Sequence, residues 1–521
     1  MNHDNQGPER LSCDVLVIGG GPAGSTVSPM LAQKGHRVVL LEKAHHPRFH
    51  IGESLLPANL PLLDRLGVGE DFAAAGVQWQ VGKVFFRDEL AYGFDLLPET
   101  QHKMPAMINY QQYHLEERLV RACMDAPLVD LRWKHKLLAI EQHADHATLT
   151  VETPDGIFKL EAQWVIAADG ANSDTRRMIG ADFTGQFFQD RFLIADVVMK
   201  ADFPTERWFW FDPPFHRNQS VLLHKECDNV WRIDFQLGWD ADPEEEKKPE
   251  NIIPRVKALL GADAQFELDW ASVYTFACLR MDQFVHGRVI FAGDSAHGVS
   301  PFGARGANSG VQDAENLAWK LDWVLQGRAS PALVSTYGPE REYAADENLC
   351  NSTRATDFIT PKSEVSRLFR DAALHLAREH AFARRIVNSG RLSVPATLHQ
   401  SPLNTPDTDH FAGTQVPGAV LLDAPLTKQG QPTWLLRELG PDFTLLVFGP
   451  APAWAHGLPG VKVLQIGIDV IDHQTLAAQR LDALPRTVYL VRPDQHVCAR
   501  WRTPTEAAVR SALARATAAA V

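Results

Sequence analysis

The stretch Cys13 to Gly35, CDVLVIGGGPAGSTVSPMLAQKG, constrains the fold more than any other part of the chain. CDVLVIGG is a short apolar run ending in glycine, which suits a buried parallel strand. The helical stretch STVSPMLAQKG follows at once and stops at Gly35. Between them Gly19, Gly21 and Gly24 satisfy GxGxxG. In that pattern the first glycine permits a tight turn, the second lets backbone approach a pyrophosphate, and the third lets helix and strand pack closely. The helix then aims unpaired N–H groups at phosphate. A second strand, HRVVLLEK, ends in Glu42, eighteen residues beyond Gly24, where an acid accepts hydrogen bonds from a ribose. Glycine turns are common, but strand, turn, helix, strand and acid in this order predict a dinucleotide site. Gly19, Gly21, Pro22, Ala23, Gly24, Glu42 and Lys43 surround it. The motif alone does not separate FAD from a nicotinamide.

Size and charge narrow the class. The chain has 521 residues, 45% of them hydrophobic, enough for about three domains at ~100–200 residues each. With 51 Lys and Arg against 64 Asp and Glu the net charge is −13, which argues against holding nucleic acid by phosphate neutralisation. The six cysteines are scattered, without CxxC, and suggest reduced thiols of a cytoplasmic protein rather than a disulfide frame or a metal site. The polar start MNHDNQGPERLS has no signal-peptide character, and no run of ~18 apolar residues predicts a membrane span.

Two later stretches decide the cofactor. WVIAADGANSDTRRMIG, 164 to 180, is an apolar strand ending at Asp169, then a polar turn with Ser173 and Arg176. GRVIFAGDSAHGVSPFGARGANSGVQDAENLAWKL, 287 to 321, has a strand ending at Asp294. A loop with Pro301, Gly303 and Gly306 follows, then a helix with Val311, Ala314, Leu317, Leu321 and Val324 at helical spacing. Asn308 or Ser309 is placed to cap it. Glycines let backbone lie flat against a ring system, and a helix start suits a flavin that becomes anionic when reduced.

These motifs resemble those of the single-component flavoprotein aromatic hydroxylases, the para-hydroxybenzoate hydroxylase class. GxGxxG at 19–24, DGxxSxxR at 169–176 and GDSAHxxxPFGxRGxNxGxxDAxNLxWKL from 293 match the three signatures of that family. The resemblance implies an α/β protein with a Rossmann-like FAD-binding domain, an inserted antiparallel-sheet substrate domain and a C-terminal thioredoxin-like domain. It implies that Asp294 binds the ribityl region of FAD, that Pro301 lies near the flavin C4a edge where oxygen adds, and that Gly306, Ala307 and Asn308 line the pyrimidine end. Asp169 and Arg176 would serve FAD and the approach of NAD(P)H. NYQQYHLEERL, 109 to 119, is similar to a further family segment in which Gln112 faces the flavin, although an exposed helix glutamine is the plainer reading. The implied reaction is hydroxylation of an aromatic, phenolic substrate with NAD(P)H and O2 through a flavin C4a-hydroperoxide. There is no second GxGxxG for a nicotinamide domain, as expected where NAD(P)H binds transiently.

HPRFHIGESLLP, 46 to 57, follows the second strand, where the family's chain crosses the flavin. Arg48 would pair with a phosphate or ribose face and Gly52 would permit close approach, with Ser54 beside it. This segment, and RWFWFDPPF at 207 to 215, also resemble flavin-dependent halogenases. Those enzymes need a lysine in a segment corresponding to VQWQVGKVFF, 77 to 86. Gln80 stands at that position, and Lys83 is three residues away. The 293–321 segment has the hydroxylase form. A halogenase, and a flavoprotein that only sequesters a reactive ligand, are therefore the alternatives to hydroxylation. Trp208 and Trp210 share one face of a strand, either as core or as an aromatic wall of the substrate cavity.

Residues 184 to 275 alternate strand-like runs with turns, fitting an antiparallel sheet with one face toward a cavity. In NVWRIDFQL, Trp231, Ile233 and Phe235 share one face and Arg232, Asp234 and Gln236 the other, which reads as core against solvent. PEEEKKPEN, 243 to 251, reads as a solvated charged loop. Tyr274 is the expected polar contact to a phenol. His50, His224 and Tyr274 are the candidates for a group that deprotonates it. The expected boundaries are 1–183 for the first part of the FAD domain, with 78–100 contributing to the substrate domain, then 184–275 for the substrate domain. The second part of the FAD domain and its helices span 276–395. A Pro/Ser/Thr-rich linker covers 396–412 and the thioredoxin-like tail 413–521. Without CxxC that tail does no dithiol chemistry and has a packing role or a part in a homodimer.

Overall fold

The computed structural model describes residues 11–45, 52–55, 59–201, 203–387 and 395–519. Leu11–Ile18 forms the first strand and pairs in parallel with Val38–Glu42 on one side and Gly156–Ala167 on the other. Val289–Phe291 and Val129–Trp133 extend this parallel sheet at its two sides. Every residue of Val38–Glu42 is buried, as expected of a strand covered on both faces. Helix Pro22–Gln33 lies against helix Gly306–Leu325, so both ends of the chain's FAD-type motifs meet at one sheet. The core of this layer joins Val15, Val17, Leu31, Val165, Phe291, Leu317 and Leu321.

The second sheet is mainly antiparallel. Its eight strands run from His297–Gly298 through Glu267–Met281, Phe183–Val198, Val230–Leu237, Ser220–Lys225, Arg207–Phe211 and Val81–Phe86 to Glu89–Asp95. Segment 78–100 thus supplies two strands here, and the sheet continues past 275 to Met281. One face packs Trp210, Val221, Leu223, Trp231, Ile233 and Phe235 onto Ile252 and Val256. These last two belong to helix Pro249–Leu260, so the charged segment 243–251 is not a loop. Asp242 accepts from the backbone N–H groups of Glu244 and Glu245, and Pro249 stands in the first turn of the next helix. Capping and an i,i+4 apolar pair outweigh the charge run.

The tail carries a four-stranded sheet in which Phe443–Phe448 pairs in parallel with Val461–Ile466 and antiparallel with Val488–Val491, which in turn pairs with Val497–Trp501. Segment 396–412, expected as a linker, is packed in where described. Leu398 and Leu403 are buried, and the Thr405 N–H donates to the Cys498 carbonyl at 2.8 Å. Its prolines leave it without helix or strand, but its leucines still find a core. Among the described residues no helix is long and apolar enough to cross a membrane.

Candidate active site

The glycine turn is built as its spacing implies. Gly19 has φ +103°, and a Cβ there would sit 2.3 Å from the Ala168 carbonyl oxygen. A Cβ on Gly24 would lie 2.0 Å from the Gly19 oxygen, so only glycine lets this helix start so close to the strand. Gly21 precedes the helix without a side-chain cap, leaving the first N–H groups to a ligand. Glu42 is buried and accepts from the Gly20 N–H at 2.8 Å and the Ala44 N–H at 2.9 Å. Lys43 pairs with Asp174 at 3.2 Å.

A single cavity of about 690 Å³ starts at this turn. Gly19, Gly21, Pro22, Ala23, Glu42 and Lys43 line its first part. Gln112, Asp169, Asp294, Pro301, Gly306 and Ala307 line the middle. Asp294 is the exposed member of the turn Gly293–Ser295, whose other residues are buried. Gln112 opens helix Gln112–Asp125 and donates to Glu116 at 2.8 Å. The far end is walled by Arg207, His224, Arg232, Asp234, Tyr274 and Phe276.

Several expected contacts fall elsewhere. Arg176 is buried and donates to the Ser295 carbonyl at 2.9 Å and the Ala171 carbonyl at 2.7 Å, with its guanidinium over Phe183. It ties the 164–180 turn to the 293–295 turn and does not line the cavity. Asp169 accepts from Ser173, and from the N–H and hydroxyl of Thr175, holding the turn that carries it. Asn308 and Ser309 do not cap the helix, which begins at Gly306 after Arg305. Asn308 lies in its first turn, buried, accepting from Asn59 at 2.7 Å and donating to the Ala304 carbonyl. Gly303 is also away from the cavity: with φ +109°, a Cβ there would meet the Arg305 guanidinium at 2.3 Å. Gly52 and Ser54 lie in strand Gly52–Leu55, opposite Gln111 and Asn109. Arg48 and His50 lie outside the described residues.

Trp208 and Trp210 belong to the core face and form no cavity wall. Trp208 donates to Glu206 at 2.7 Å, and Trp210 stacks on Phe85. Their neighbour Arg207 takes the cavity face instead, because successive side chains alternate. Lys83 pairs with Glu206 at 2.7 Å, and Gln80 donates to Asp95 at 3.1 Å, so neither lines the cavity.

The far wall overturns the reading of Arg232, Asp234 and Gln236 as a solvent face. All eight residues of Val230–Leu237 are buried. Arg232 stands opposite His224 on one neighbour and Asp196 on the other. Trp208 stands opposite Leu223, which brings Arg207 level with His224. Arg207, His224, Arg232 and Asp196 therefore cross four strands in one row. Arg232 grips Asp196 with two bonds, at 2.8 and 2.6 Å, and His224 Nε2 meets Glu226 at 3.0 Å. Burial, with Arg207 and Arg232 alongside, holds the His224 imidazole well below its usual range. Burial raises the Glu226 carboxyl to about 7 and the Asp234 carboxyl to about 6, against the pull of both arginines. Burial and Asp234 push the Tyr274 hydroxyl well up. The cue in the sequence was the polar set itself: an arginine and two acids at period two inside an apolar sheet.

The donor set fits FAD. Two helix N-termini, at Gly21–Ala23 and Gly306–Ala307, open on one cavity, and a Cβ on Gly306 or Gly170 would meet nothing within 4 Å. The first offers N–H groups to a pyrophosphate, the second a positive dipole end to a reduced ring.

A parallel sheet with this cradle, joined to a cavity-walling antiparallel sheet, defines an FAD-dependent monooxygenase. The chain belongs to the family described as FAD binding domain, which matches residues 12–352. It is 27% identical over 509 residues to 12-dehydrotetracycline 5-monooxygenase/anhydrotetracycline 6-monooxygenase of Streptomyces rimosus, covering 93% of this chain and 94% of that one. It is 28% identical over 375 residues to para-nitrophenol 4-monooxygenase of a Pseudomonas species, covering 69% of this chain and 90% of that one. The flavin-dependent monooxygenase PieE, solved with FAD and substrate, superposes with a TM-score of 0.83 over 98% of this chain and 100% of its own, at 20% identity. That last likeness speaks to the fold.

Proposed function

We propose that the protein hydroxylates a phenolic aromatic ring, using FAD, NAD(P)H and O2. One observation carries this reading: a single cavity runs from the dinucleotide cradle, past Pro301, to a buried wall of Arg207, His224, Arg232, Asp234 and Tyr274. Bound FAD, reduced by NAD(P)H, supplies the activation of oxygen. Gly19 to Gly24 would hold its pyrophosphate, Glu42 a ribose, Asp294 the ribityl chain, and Gly306 and Ala307 the ring's polar edge. Ile194, Phe276 and Leu279 give the ring-sized end of the cavity an apolar lining that excludes water, while the polar wall orients a hydroxyl group. Relatives named for nitrophenol and anhydrotetracycline oxidation support a phenol-bearing ring as the substrate class.

The test is a screen of phenols, from single rings to fused ones, with the FAD-loaded protein. The expected result is phenol-stimulated loss of the reduced-nicotinamide absorbance together with a product heavier by one oxygen atom. Nicotinamide oxidation that no phenol stimulates, or a chlorinated product in the presence of chloride, would sink the reading.

A further inference from the structure

The far wall is built in pairs. Each of two cavity-facing groups is held by a neighbouring carboxylate: Arg232 by Asp196 on the next strand, and His224 by Glu226 two residues on. Asp196 and Glu226 do not line the cavity themselves. Backing an arginine with a carboxylate fixes a cation. Backing an imidazole with one fixes a tautomer: Nε2 keeps its hydrogen for the carboxylate and Nδ1 keeps its lone pair. Nδ1 of His224 is buried and has no hydrogen-bond partner among the described residues. A buried polar atom of that kind is costly unless a ligand or water meets it.

We propose that His224, oriented by Glu226, takes the proton from the ring hydroxyl of the substrate, and that Arg207 and Arg232 hold the oxyanion so formed. This inference rests on the phenol-hydroxylase reading given above. In the step, the substrate O–H bond breaks, an N–H bond forms at Nδ1, and the electron pair stays on the ring oxygen. Glu226 offsets the new imidazolium charge. The arginines that disfavour a protonated imidazole in the free protein are balanced once an anion lies between them. An ionised ring is the more electron-rich one, so it gives up electrons to an oxygen donor more readily. Tyr274, on the same wall, keeps its hydroxyl proton and serves as a donor. Asp234, one row along the sheet, is the rival acceptor, because its Oδ1 likewise has no partner among the described residues. The charged and titratable groups facing His224 are Arg207, Arg232, Asp196 and Glu226.

The first measurement uses the FAD-loaded wild-type protein and 4-nitrophenol, whose ionised form has its own visible band. The band is expected to appear on binding at a pH where free 4-nitrophenol is protonated. A bound phenol that stays neutral there, or no binding at all, overturns the inference without any variant. The second compares turnover of the phenol selected by the screen in His224→Gln, Glu226→Gln and Asp234→Asn, with Lys83→Ala as a control outside the cavity. His224→Gln is expected to lose ~100-fold in turnover at low pH, the usual range for removing a general base. The loss should shrink as pH rises through the ionisation of the free phenol, since solvent then supplies the oxyanion. Glu226→Gln should show a smaller loss with the same pH dependence, and FAD content should stay at the wild-type level. A pH-independent loss in His224→Gln would make His224 structural, and a pH-rescued loss confined to Asp234→Asn would move the role to that residue. Either outcome overturns the inference and leaves hydroxylation standing. A wild-type protein that no phenol stimulates would overturn both.

Discussion

At the scale of single residues, Asp313 shows how the cofactor turn is kept in place. It lies fully buried in helix Gly306–Leu325 and accepts from the Gly293 N–H at 2.8 Å, from His297 at 2.7 Å and from Arg341 at 2.6 Å. Burial alone would raise its carboxyl. The charges of His297 and Arg341 win and hold it at about 2. An unfolded aspartate titrates near 4, so the folded value is depressed. The contribution is therefore complete above the unfolded value and is lost as pH falls from about 4 toward 2. It amounts to roughly 2 kcal/mol at neutral pH. Asp313→Asn leaves the Arg341 guanidinium buried without its counter-charge and shares one acceptor oxygen among three donors, an expected cost of ~3 kcal/mol or more. Thermal unfolding at pH 7 should show that loss, and the gap to wild type should narrow in acid. Flavin content should fall too, because the single amide oxygen of Asn cannot serve Gly293, His297 and Arg341 together. An equal gap at every pH would contradict this account. None of this coupling was legible from the aspartate in DAENLAWKL, because its partners lie up to 28 positions away in the chain. The glycine turn was legible because its whole logic is local: Gly24 meets Gly19, five positions before it.

At the scale of elements, the second sheet explains what sequence reading found and what it missed. Alternation at period two divides Trp231, Ile233 and Phe235 from Arg232, Asp234 and Gln236, and the structure keeps that division. Period two cannot say what covers each face. Here helix Pro249–Leu260 covers the apolar face, while the FAD domain closes over the polar one, so neither meets solvent. The same blindness left Trp208 and Trp210 undecided between core and cavity wall; their strand mate Arg207 holds the cavity position. The two faces should separate in mutagenesis. Trp210→Ala removes a buried indole from the apolar face and is expected to cost ~3–5 kcal/mol in chemical denaturation. The KM for the phenol should stay within about twofold, since nothing on the cavity side changes. Arg207→Ala should do the reverse, raising KM with a smaller loss of stability. A large KM change in Trp210→Ala, with flavin content intact, would mean that the indole reaches the substrate after all.

At the scale of the whole molecule, two contacts of different kinds stand out among those that seat the tail on the FAD domain. Trp319 and Trp323, on the far face of helix Gly306–Leu325, meet Phe443 edge-on at 5.6 and 5.2 Å. Beside them Arg492 of the tail reaches Glu340 at 2.6 Å, while Lys320 holds the same carboxylate at 2.7 Å and Asp494 backs Arg492. These four charged side chains are fully or almost fully buried, so each depends on the others for compensation. Arg492→Met takes out the cation that joins Glu340 to Asp494, leaving Lys320 on Glu340, His496 beside Asp494 at 3.4 Å, and the Asn316 amide between the two carboxylates. The expected loss is ~3–5 kcal/mol, because a stranded buried charge costs more than the pair was worth. Replacing Glu340 with Met as well leaves one cation and one anion, and should recover part of that loss. Tryptophan fluorescence and flavin release followed during heating give the readout. In wild type the two signals are expected to change together. In Arg492→Met the tryptophan signal should move first, as the tail lifts from Trp319 and Trp323 while the cradle still holds flavin. If instead both signals shift by the same amount and stay together, the network stabilises the molecule as one unit and does not act as the seat of the tail.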